Sequence, residues 1–533
     1  MSKVAMLLAL LGVPGAPRRT DPAPAPPKPK LVLVITVDQL RADYLTRWKP
    51  QLTSGFAVLD QGGAVFTSAY QDHGVTETAP GHAAILSGRW PAHTEVLTNV
   101  LGVSDSTAPL IGATGPGASP RRFRGTAFFD WLHAADTSSR ALSVSRKDRG
   151  AILPIGQARQ AVYWYAASSG IFTTSRYYAD SLPTWVTAFN AQRLPFKMAG
   201  RRVTLLLPDS AYREPDSVPW ENGGHGFTFP YALPSDSLKA AQQLPNFSLM
   251  DSLTLAFALT GMEALKLGRR SATDLLAVSL STTDAIGHAF GPDSREIHEQ
   301  VLRLDRYLGW FLDRVFDKVG KTNVVVVLTA DHGVTPFIES SLRAGHAEAR
   351  VVNIDTLLTA VNARLDTMSG DTTHRRWFEI DPGIVFLRDN GKLAARGFNV
   401  DSIVRALATR IRAVRGVARA DLPGDLAQAD TVADPTARRW LHTVPASSSV
   451  AVVVTLADWC AWGWPGVPET AVHDEPSESD THVPLILWGK GVKPGHYTAR
   501  ANTVDIAPTL ARLTGVSALS LLDGRVLVEA LEP

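Results

Sequence analysis

The 533-residue sequence contains one cysteine, Cys460, so it cannot form an internal disulfide bond. It also lacks an apolar run of about 20 residues, the length that a membrane-spanning helix needs. Lys plus Arg number 53 against 51 Asp plus Glu, and without a long run of either sign a nucleic-acid-binding protein is not indicated. These absences favour small molecules as partners, with no nucleic acid and no membrane span, and they leave the oligomeric state open.

The amino terminus has the pattern of an export signal. Lys3 precedes an apolar run of about ten residues, Val4 to Val13, which is too short to span a bilayer but suits a secretory signal. The segment DPAPAPPKPK follows and predicts an extended spacer without a fold of its own. We therefore expect signal and spacer over residues 1–30, a catalytic domain over residues 31–533, and a periplasmic or secreted location.

Four continuous apolar runs predict buried strands. Val, Ile and Leu without alternation are typical of parallel strands that are covered on both faces. The runs are LVLVITV (31–37), LLAVSL (275–280), VVVVL (324–328) and VPLILW (483–488). They predict an α/β fold with a doubly wound, mostly parallel sheet, which places ligands at the carboxyl ends of its strands.

A long amphipathic helix is expected between the second and third of these strands. Asp293 and Glu296 have capping-box spacing at its start. Apolar residues then recur at helical intervals, namely Ile297, Val301, Leu304, Leu308, Phe311 and Val315. This pattern predicts a βαβ crossover. Two regions, 99–246 and 344–476, interrupt the rhythm, and we expect both to be insertions that cap the active edge of the sheet.

Metal-ligand residue types directly follow three of the four strands. Asp38 follows the first, Asp284 and His288 follow the second, and Asp331 and His332 follow the third. Each residue alone has an ordinary structural interpretation as part of a turn or a helix cap, but all of them lie beside buried strands. Carboxylate and imidazole ligands without thiolates suit zinc or a similar ion in a catalytic site.

A sixth candidate ligand precedes the fourth strand. His482 lies in SDTHVPLILWG, directly before the apolar run, whereas His473 lies earlier, in AVHDEP. We favour His482 over His473 because the strand follows it at once. Other histidines, among them His82, show no matching role, and Cys460 is interpreted as a packed thiol.

Thr78, in VTETAPGHAAILSG, is the candidate nucleophile. A threonine before a helix is usually only its N-cap, and that interpretation stays open. The metal-type residues favour the other interpretation, because a metal ion activates a hydroxyl group and a helix N-terminus attracts phosphate. Two metal ions could then hold the attacking and leaving oxygens of a phosphoryl transfer.

The order of these seven residues along the chain resembles the alkaline phosphatase superfamily. The resemblance spans residues 31–525 and implies a sheet of the alkaline-phosphatase type with a site for two Zn²⁺. One ion would take Asp284, His288 and His482, and the other would take Asp38, Asp331, His332 and the oxygen of Thr78.

The segment SRKDRGAILPIG is similar to that of the PafA-type (phosphate-irrepressible) alkaline phosphatases, in which the nucleophile is also a threonine. In an extended strand Lys147 and Arg149 would face the same side and could reach one phosphoryl oxygen. Asn99 matches an asparagine that contacts the phosphoryl oxygens in that family. The resemblance implies zinc-dependent hydrolysis of phosphate monoesters through a phosphothreonine, with Thr78, Asn99, Lys147 and Arg149 as catalytic residues.

Two other functions stay open. A phosphodiesterase or nucleotide pyrophosphatase of the same superfamily would share the threonine and the metals, but we expect it to replace Lys147 and Arg149 with a pocket for the second ester group. A noncatalytic metal- or phosphate-binding protein would need the ligands without the nucleophile, so Thr78 argues against it. The physiological substrate is not indicated.

Overall fold

The computed structural model describes residues 28–371, 373, 376–464 and 470–533. The predicted signal and most of the predicted spacer lie outside these residues. The strands are β1 (Leu31–Val37), β2 (Gly63–Phe66), β3 (Ala69–Tyr70), β4 (Ala141–Ser145), β5 (Ala161–Ala166), β6 (Ile171–Thr173), β7 (Arg202–Val203), β8 (Tyr231–Ala232), β9 (Asp274–Leu280), β10 (Val324–Thr329), β11 (Arg350–Val352), β12 (Phe378–Asp381), β13 (Ile384–Leu387), β14 (Val417–Asp421), β15 (Val450–Leu456), β16 (Cys460–Trp462), β17 (Leu485–Gly489), β18 (Gly495–Tyr497) and β19 (Ala501–Asn502).

Helices cover both faces of the sheets and the connections between them. They are α1 (Tyr44–Arg47), α2 (Gly55–Gly62), α3 (Thr78–Ser87), α4 (Pro91–Thr94), α5 (Phe128–Ala135), α6 (Asp148–Ile152), α7 (Thr184–Ala191), α8 (Ser237–Gln243), α9 (Leu249–Ala264), α10 (Thr282–Phe290), α11 (Arg295–Val319), α12 (Ile338–Arg343), α13 (Asp355–Ser369), α14 (Asn390–Ala395), α15 (Val400–Arg412), α16 (Pro423–Leu426), α17 (Pro435–Thr443), α18 (Glu478–Thr481) and α19 (Ile506–Thr514). In the described parts of the chain, none of the helices is long and apolar enough to cross a bilayer.

The central sheet has nine strands in the order β18-β2-β17-β10-β1-β9-β4-β5-β6. Strands β10, β1, β9, β4 and β5 are parallel to their neighbours in this series. This confirms the predicted α/β fold with a mostly parallel sheet. All four apolar runs form strands of this sheet, and the βαβ crossover from β9 through α10 and α11 reaches β10 on the other side of β1.

One apolar run differs from the others in direction. Strand β17, which contains most of VPLILW, is antiparallel to both β10 and β2. It is nevertheless an interior strand, and Leu485 to Trp488 are all buried. The continuous apolar run therefore indicates that both faces of the strand are buried, but it does not indicate the direction of the strand.

The two faces of the sheet pack into separate cores. Alternate residues of a strand point to opposite faces, and Leu33 of β1 packs with helices α2, α9 and α11, whereas Val34 packs with α3, α5 and α19. The six apolar residues predicted for α11 are all fully buried. Its N-cap is Ser294, whose Oγ accepts the Ile297 amide, and not Asp293, which pairs with Arg47 at 2.9 Å.

The first region that we expected to be an insertion contributes to the central sheet. Strands β4, β5 and β6 all lie within residues 99–246 and form one end of the nine-stranded sheet. The sequence did not reveal them because they lack a continuous Val, Ile and Leu run and are separated by segments rich in Gly, Pro and aromatic residues. Only the remainder of this region lies outside the sheet.

Residues 344–476 contain a second sheet with a core of its own. Strands β12, β13, β15 and β14 pair in that order, all antiparallel, and helices α13 and α15 cover them around Trp377, Phe378 and Ile411. A smaller cluster joins this unit to the segment that leads into α3, because Val75 and Leu97 pack against residues of the second sheet and of α17. The second sheet thus lies beside the Thr78 segment.

Candidate active site

Three neighbouring parallel strands place acidic and imidazole side chains at one edge of the sheet. Asp38 directly follows β1, Asp284 lies in the first turn of α10 after β9, and Asp331 and His332 lie just beyond β10. Because β1 lies between β9 and β10, the carboxyl ends of the three strands meet. The side chains of Asp38, Asp331 and His332 are fully buried.

These residues form two candidate metal groups that share one carboxylate. Asp38, Asp284 and His332 are the first group, and Asp284, His288 and His473 are the second, with potential ligand atoms within 4.8 Å of one another in each. His332 Nε2 lies 3.4 Å from Asp38 Oδ1, and His288 Nε2 lies 3.2 Å from Asp284 Oδ1. The two groups contain four of the six predicted side-chain ligands, and a fifth, Asp331, lies beside them, with its Oδ2 3.7 Å from His332 Nε2.

The structure places His473, and not the predicted sixth ligand His482, beside Asp284 and His332. His473 Nε2 lies 3.8 Å from Asp284 Oδ1, and the centre of its ring is 3.8 Å from that of His332. His482 instead stacks on Tyr70, and its Nε2 donates to the carbonyl of Thr67.

The course of the loop before α18 explains the exchange. The His288 Nδ1–H donates to the carbonyl of Ala471 at 2.6 Å, which holds the loop that carries His473 against α10. His482 does lie near the active edge, because the start of antiparallel β17 pairs with the end of β10. Its side chain, however, is directed towards β3. Proximity to a strand in the sequence could not show this direction.

Thr78 is the first residue of helix α3 and not its N-cap. The N-cap is Glu77, which has extended backbone angles and makes no capping hydrogen bond. The Thr78 hydroxyl accepts a hydrogen bond from Lys147 Nζ at 3.1 Å. The N-cap interpretation is therefore wrong, and the hydroxyl lies at the positive end of the helix, where anions are stabilised.

A glycine allows this helix to approach the metal-type residues. A Cβ atom on Gly81 would lie 2.3 Å from the carbonyl oxygen of Asp331, closer than any non-bonded contact allows. The APGH segment thus packs its backbone directly on the turn that follows β10. This contact fixes the distance between Thr78 and the residues of the first metal group.

Lys147 connects the nucleophile to both metal groups. Its Nζ lies 2.7 Å from Asp38 Oδ2 and 2.7 Å from Asp284 Oδ2, in addition to the contact with Thr78. Arg146 also reaches this cluster, with Nη2 3.5 Å from Asp284 Oδ2. Sequence reasoning found Lys147 but missed Arg146.

The backbone around Lys147 differs from the extended strand that we expected. Strand β4 ends at Ser145, Lys147 is the N-cap of α6, and Arg149 lies inside that helix. The two cations therefore do not share one face of a strand. Arg149 Nη1 lies 3.7 Å from Asp148, and its buried Nε makes no hydrogen bond.

Asn99 is brought to the start of the nucleophile helix. Its side-chain carbonyl accepts the amide of Ala79 at 2.9 Å, and its own amide donates to the Glu77 carboxylate. Burial and the nearby Asp474 and Asp381 carboxylates raise the pKa of Glu77 well above its usual range. Asn99 thus lies next to Thr78, and it holds the first turn of α3.

The charges in the site favour a cation. Burial and Asp284 would raise the pKa of Asp38, but Lys147 and His332 outweigh them and hold it well below its usual range. Burial lowers the pKa of His332, but Asp331 and Asp38 raise it to about 10. Burial and the neighbouring His332 and His288 lower the pKa of His473 well below its usual range.

The donor atoms fit metal ions. Both carboxylate oxygens of Asp38, Asp331 Oδ2 and His332 Nε2 are buried without a well-formed hydrogen bond. Buried polar atoms of this kind normally have a partner. The set contains carboxylates and imidazoles and no thiolate, which are ligands that suit zinc and similar ions in catalytic sites.

Two buried residues that sequence reasoning missed hold these side chains in place. His82, one helical turn after Thr78, contacts Asp331 Oδ2 at 3.0 Å and Ser279 Oγ at 2.9 Å. Gln39 has a left-handed φ of 65°, and it donates from its backbone to Asp331 and from its side chain to Asp284. The only signals in the sequence were the i,i+4 spacing of His82 from Thr78 and the position of Gln39 next to Asp38.

The fold and this site define the class of protein, an enzyme of the alkaline phosphatase superfamily. Residues 32–415 match the family described as type I phosphodiesterase / nucleotide pyrophosphatase, and the chain belongs to this family.

Alkaline phosphatases resemble the chain over nearly its full length. Alkaline phosphatase PhoV of Synechococcus elongatus is 32% identical over 94% of this chain and 93% of its own. Alkaline phosphatase PafA of Elizabethkingia meningoseptica is 29% identical over 98% of each chain. The crystal structure of wild-type alkaline phosphatase PafA superposes with a TM-score of 0.87 at 28% identity, and covers 95% of this chain and 100% of that one. The chain is accordingly a phosphatase enzyme.

Proposed function

We propose that this enzyme is a zinc-dependent alkaline phosphatase that hydrolyses phosphate monoesters through a covalent phosphothreonine on Thr78. The observation that carries the proposal is the position of the Thr78 hydroxyl. It lies at the N-terminus of α3 and 3.1 Å from Lys147 Nζ, which itself contacts carboxylates of both metal groups. A nucleophile in contact with cationic groups and a helix N-terminus suits an anionic phosphoryl group.

The residues at this edge of the sheet would hold two zinc ions, with Asp331 beside His332 added to the ligands of the first group and Asp284 kept for the second. Asp284, His288 and His473 would bind one ion, and Asp38, Asp331, His332 and the Thr78 oxygen would bind the other. Such ions supply Lewis-acid stabilisation of the attacking and leaving oxygens of a phosphoryl transfer. The ligands come from three strand ends and from the loop after the second sheet, so the fold and not one local motif sets their spacing.

The chain's own residues would carry both displacement steps. In the first, the Thr78 hydroxyl gives up its proton and its Oγ bonds to phosphorus, the bond from phosphorus to the ester oxygen breaks, and the released oxygen takes up one proton so that the product leaves as the alcohol. In the second, a water oxygen bonds to phosphorus, the Thr78 Oγ–P bond breaks, and inorganic phosphate is released. Each step makes one P–O bond and breaks one, and Thr78 is regenerated.

Three residues would stabilise the charge of the phosphoryl group. Lys147 is already within hydrogen-bond distance of the nucleophile, and the unpaired Nε of Arg149 leaves that guanidinium with capacity to bind an oxyanion. Asn99 holds the backbone at the first turn of α3. Donors that are fixed before the reaction stabilise developing charge without reorganisation.

The comparison that tests the function is monoester against diester. Steady-state kinetics of the zinc-loaded enzyme on an aryl phosphate and on its methyl diester should give a much higher kcat/KM for the monoester. A preference for the diester would instead support a phosphodiesterase, which is the other activity that the family description contains. Absence of phosphate release from both would support a noncatalytic binding protein.

We also expect export to the periplasm or the medium, where small-molecule phosphate monoesters would be the partners.

A further inference from the structure

A large cavity adjoins the second metal group. It has a volume of about 620 Å³ and lies among α10, the start of α11 and the segments 222–231 and 243–248. His288 forms part of its wall. The side chain of His288 is 34% exposed, whereas those of Asp284 and His473 are 6% and 7% exposed. The cavity therefore approaches the metal group from the side of His288 and has room for an organic group.

One wall of the cavity is aromatic. Phe229, Tyr231, Phe247 and Phe290 line it, and none of them is fully buried. The Tyr231 ring lies 4.8 Å from that of Phe229 and 5.5 Å from that of Phe290. Accessible aromatic faces bind apolar groups, and they also bind cations through the negative potential of the ring.

The same cavity contains a buried carboxylate with an unpaired oxygen. Glu296 is only 4% exposed, its Oε1 accepts the Tyr231 hydroxyl at 2.5 Å, and its Oε2 has no hydrogen-bond partner. Glu221, next to the lining residue Asn222, is also 4% exposed and has an unpaired Oε2. Burial raises the pKa of Glu296 to about 7 and, together with the Glu296 carboxylate, that of Glu221 to about 9. A cation would stabilise the ionised form of both.

The remaining charges near the cavity are already paired. Arg303 Nε lies 2.6 Å from Glu299 Oε1, and Arg295 pairs with Asp209. A metal ion alone does not suit the cavity. Among the described residues, the groups of three acidic or histidine side chains close enough to share an ion are the two in the active site. The combination of aromatic rings, the unpaired Oε2 of Glu296 and a large volume fits an organic cation.

We propose that this cavity binds a positively charged alkylammonium group in the alcohol part of the phosphate ester. The inference rests on the proposed function, because the ester must be held with its phosphorus at Thr78 and its alcohol part towards His288. The reaction itself is unchanged: the same P–O bond breaks, and the cationic alcohol leaves with its proton. The cavity would thus select the substrate by its charge.

The test compares two esters of the same shape and different charge. Phosphocholine carries a trimethylammonium group, and 3,3-dimethylbutyl phosphate replaces its nitrogen with carbon. We expect the wild-type enzyme to show a kcat/KM for phosphocholine at least tenfold higher, mainly through a lower KM. Equal values for the two esters would overturn the inference.

Variants of the cavity residues test whether the preference for phosphocholine arises in the cavity. Glu296→Gln should reduce the ratio between the two esters about tenfold, mainly by raising the KM for phosphocholine. Glu263→Gln is the matched control, because its carboxylate is 57% exposed on α9, and it should retain the wild-type ratio. Tyr231→Phe, which removes only the hydroxyl group, should lower the ratio in the same direction as Glu296→Gln. A ratio that no cavity variant changes would contradict the assignment.

Free choline distinguishes the alcohol subsite from a separate effector site. Choline should inhibit phosphocholine hydrolysis competitively in the wild type and much more weakly in Glu296→Gln. Noncompetitive inhibition, or none, would overturn a subsite for the alcohol part. Release of phosphate from 3,3-dimethylbutyl phosphate checks the proposed function independently. If neither ester were hydrolysed, the phosphatase proposal would fail, whereas hydrolysis of both at equal rates would contradict only the cavity.

Discussion

His82 Nδ1 lies 3.0 Å from Asp331 Oδ2, and the two residues are both fully buried. The same nitrogen lies 2.9 Å from the carbonyl oxygen of Thr78, and the other ring nitrogen contacts the Ser279 hydroxyl. One imidazole therefore links the nucleophile helix, the residue after β10 and strand β9. It fixes the candidate nucleophile relative to a candidate metal ligand.

We expect His82→Ala to weaken both the fold and the site. Removal of the ring takes a hydrogen-bond partner from the Thr78 carbonyl and the Ser279 hydroxyl, and a buried group that is left unsatisfied costs about 1–3 kcal/mol. Thermal unfolding should show a lower Tm, and zinc titration should show weaker binding. His82→Gln, which keeps a donor on the side chain, should recover part of both losses. An unchanged zinc affinity in His82→Ala would show that the residue does not position Asp331.

Thr78 should be essential for covalent turnover. Thr78→Ala removes the attacking oxygen, so steady-state phosphate release should fall below detection while the circular dichroism spectrum stays native. Thr78→Ser keeps a hydroxyl at the same place and should retain measurable activity. Mass spectrometry of an acid-quenched reaction should find phosphate on the peptide that contains Thr78. Near-normal turnover by Thr78→Ala would contradict this role.

Variants of His473 and His482 should differ in their zinc content. His473→Ala should lower the zinc content from two ions per chain towards one and abolish most activity, because His473 belongs to the group with Asp284 and His288. His482→Ala is the matched control and should keep both ions, since its ring contacts Thr67 and Tyr70 instead. Elemental analysis of the two purified variants gives the answer. Loss of zinc from His482→Ala alone would reverse the assignment.

Lys147 and Arg149 should distinguish monoesters from diesters. A monoester dianion has three nonbridging oxygens, whereas a diester has lost one of them to a second ester group. Replacing both residues with Ala should cost about 2–4 kcal/mol in monoester kcat/KM, the scale of one strong oxyanion contact, and much less in diester hydrolysis. Zinc content must be measured in parallel, because Lys147 also contacts Asp38 and Asp284. An equal loss of kcat/KM for both substrates at unchanged zinc content would show that Lys147 and Arg149 do not recognise the monoester selectively.

Glu221 should make the protein less stable at alkaline pH. Burial, Glu296 and Asp216 raise its pKa to about 9 from a usual 4.5. The folded protein therefore keeps a proton that the unfolded chain has lost, and stability falls as pH rises from about 4.5 to about 9, by at most ~1.4 kcal/mol per pH unit. Glu221→Gln cannot ionise, so its Tm should fall less than that of the wild type between pH 6 and pH 9. If the Tm of the wild type and the Tm of Glu221→Gln fell equally with pH, Glu221 would not be protonated in the folded protein.

The elements that the sequence predicted well are those with a strong periodic signal. The apolar runs of β1, β9 and β10 and the apolar face of α11 needed only burial and spacing to be recognised. Strands β4 (ALSVS) and β5 (AVYWYA) were missed because Ser, Ala and aromatic residues replace the continuous Val, Ile and Leu run that identified the other strands. The direction of β17 could not be predicted, because its sequence records burial on both faces and not the neighbour with which it pairs.

The site was predictable where a ligand directly follows a strand. Asp38, Asp331 and His332 follow strands whose ends must meet, so their sequence positions determine their place. His473 lies in a loop, and only the folded course of that loop brings its ring to His332. The sequence singled out Lys147 but did not show that it is the N-cap residue of the short helix α6.

The position of His473 also has a consequence for how the chain reaches its active form. Asp331 contacts Gln39 across 292 positions of sequence, and His473 follows an entire second sheet before it returns to the same edge. Contacts between such distant segments form late, because the loops between them must close first. The intermediates of a chain of this size will therefore contain both sheets before they contain an active site. During refolding, the recovery of catalytic activity would therefore show that the two sheets have folded and have also packed against each other.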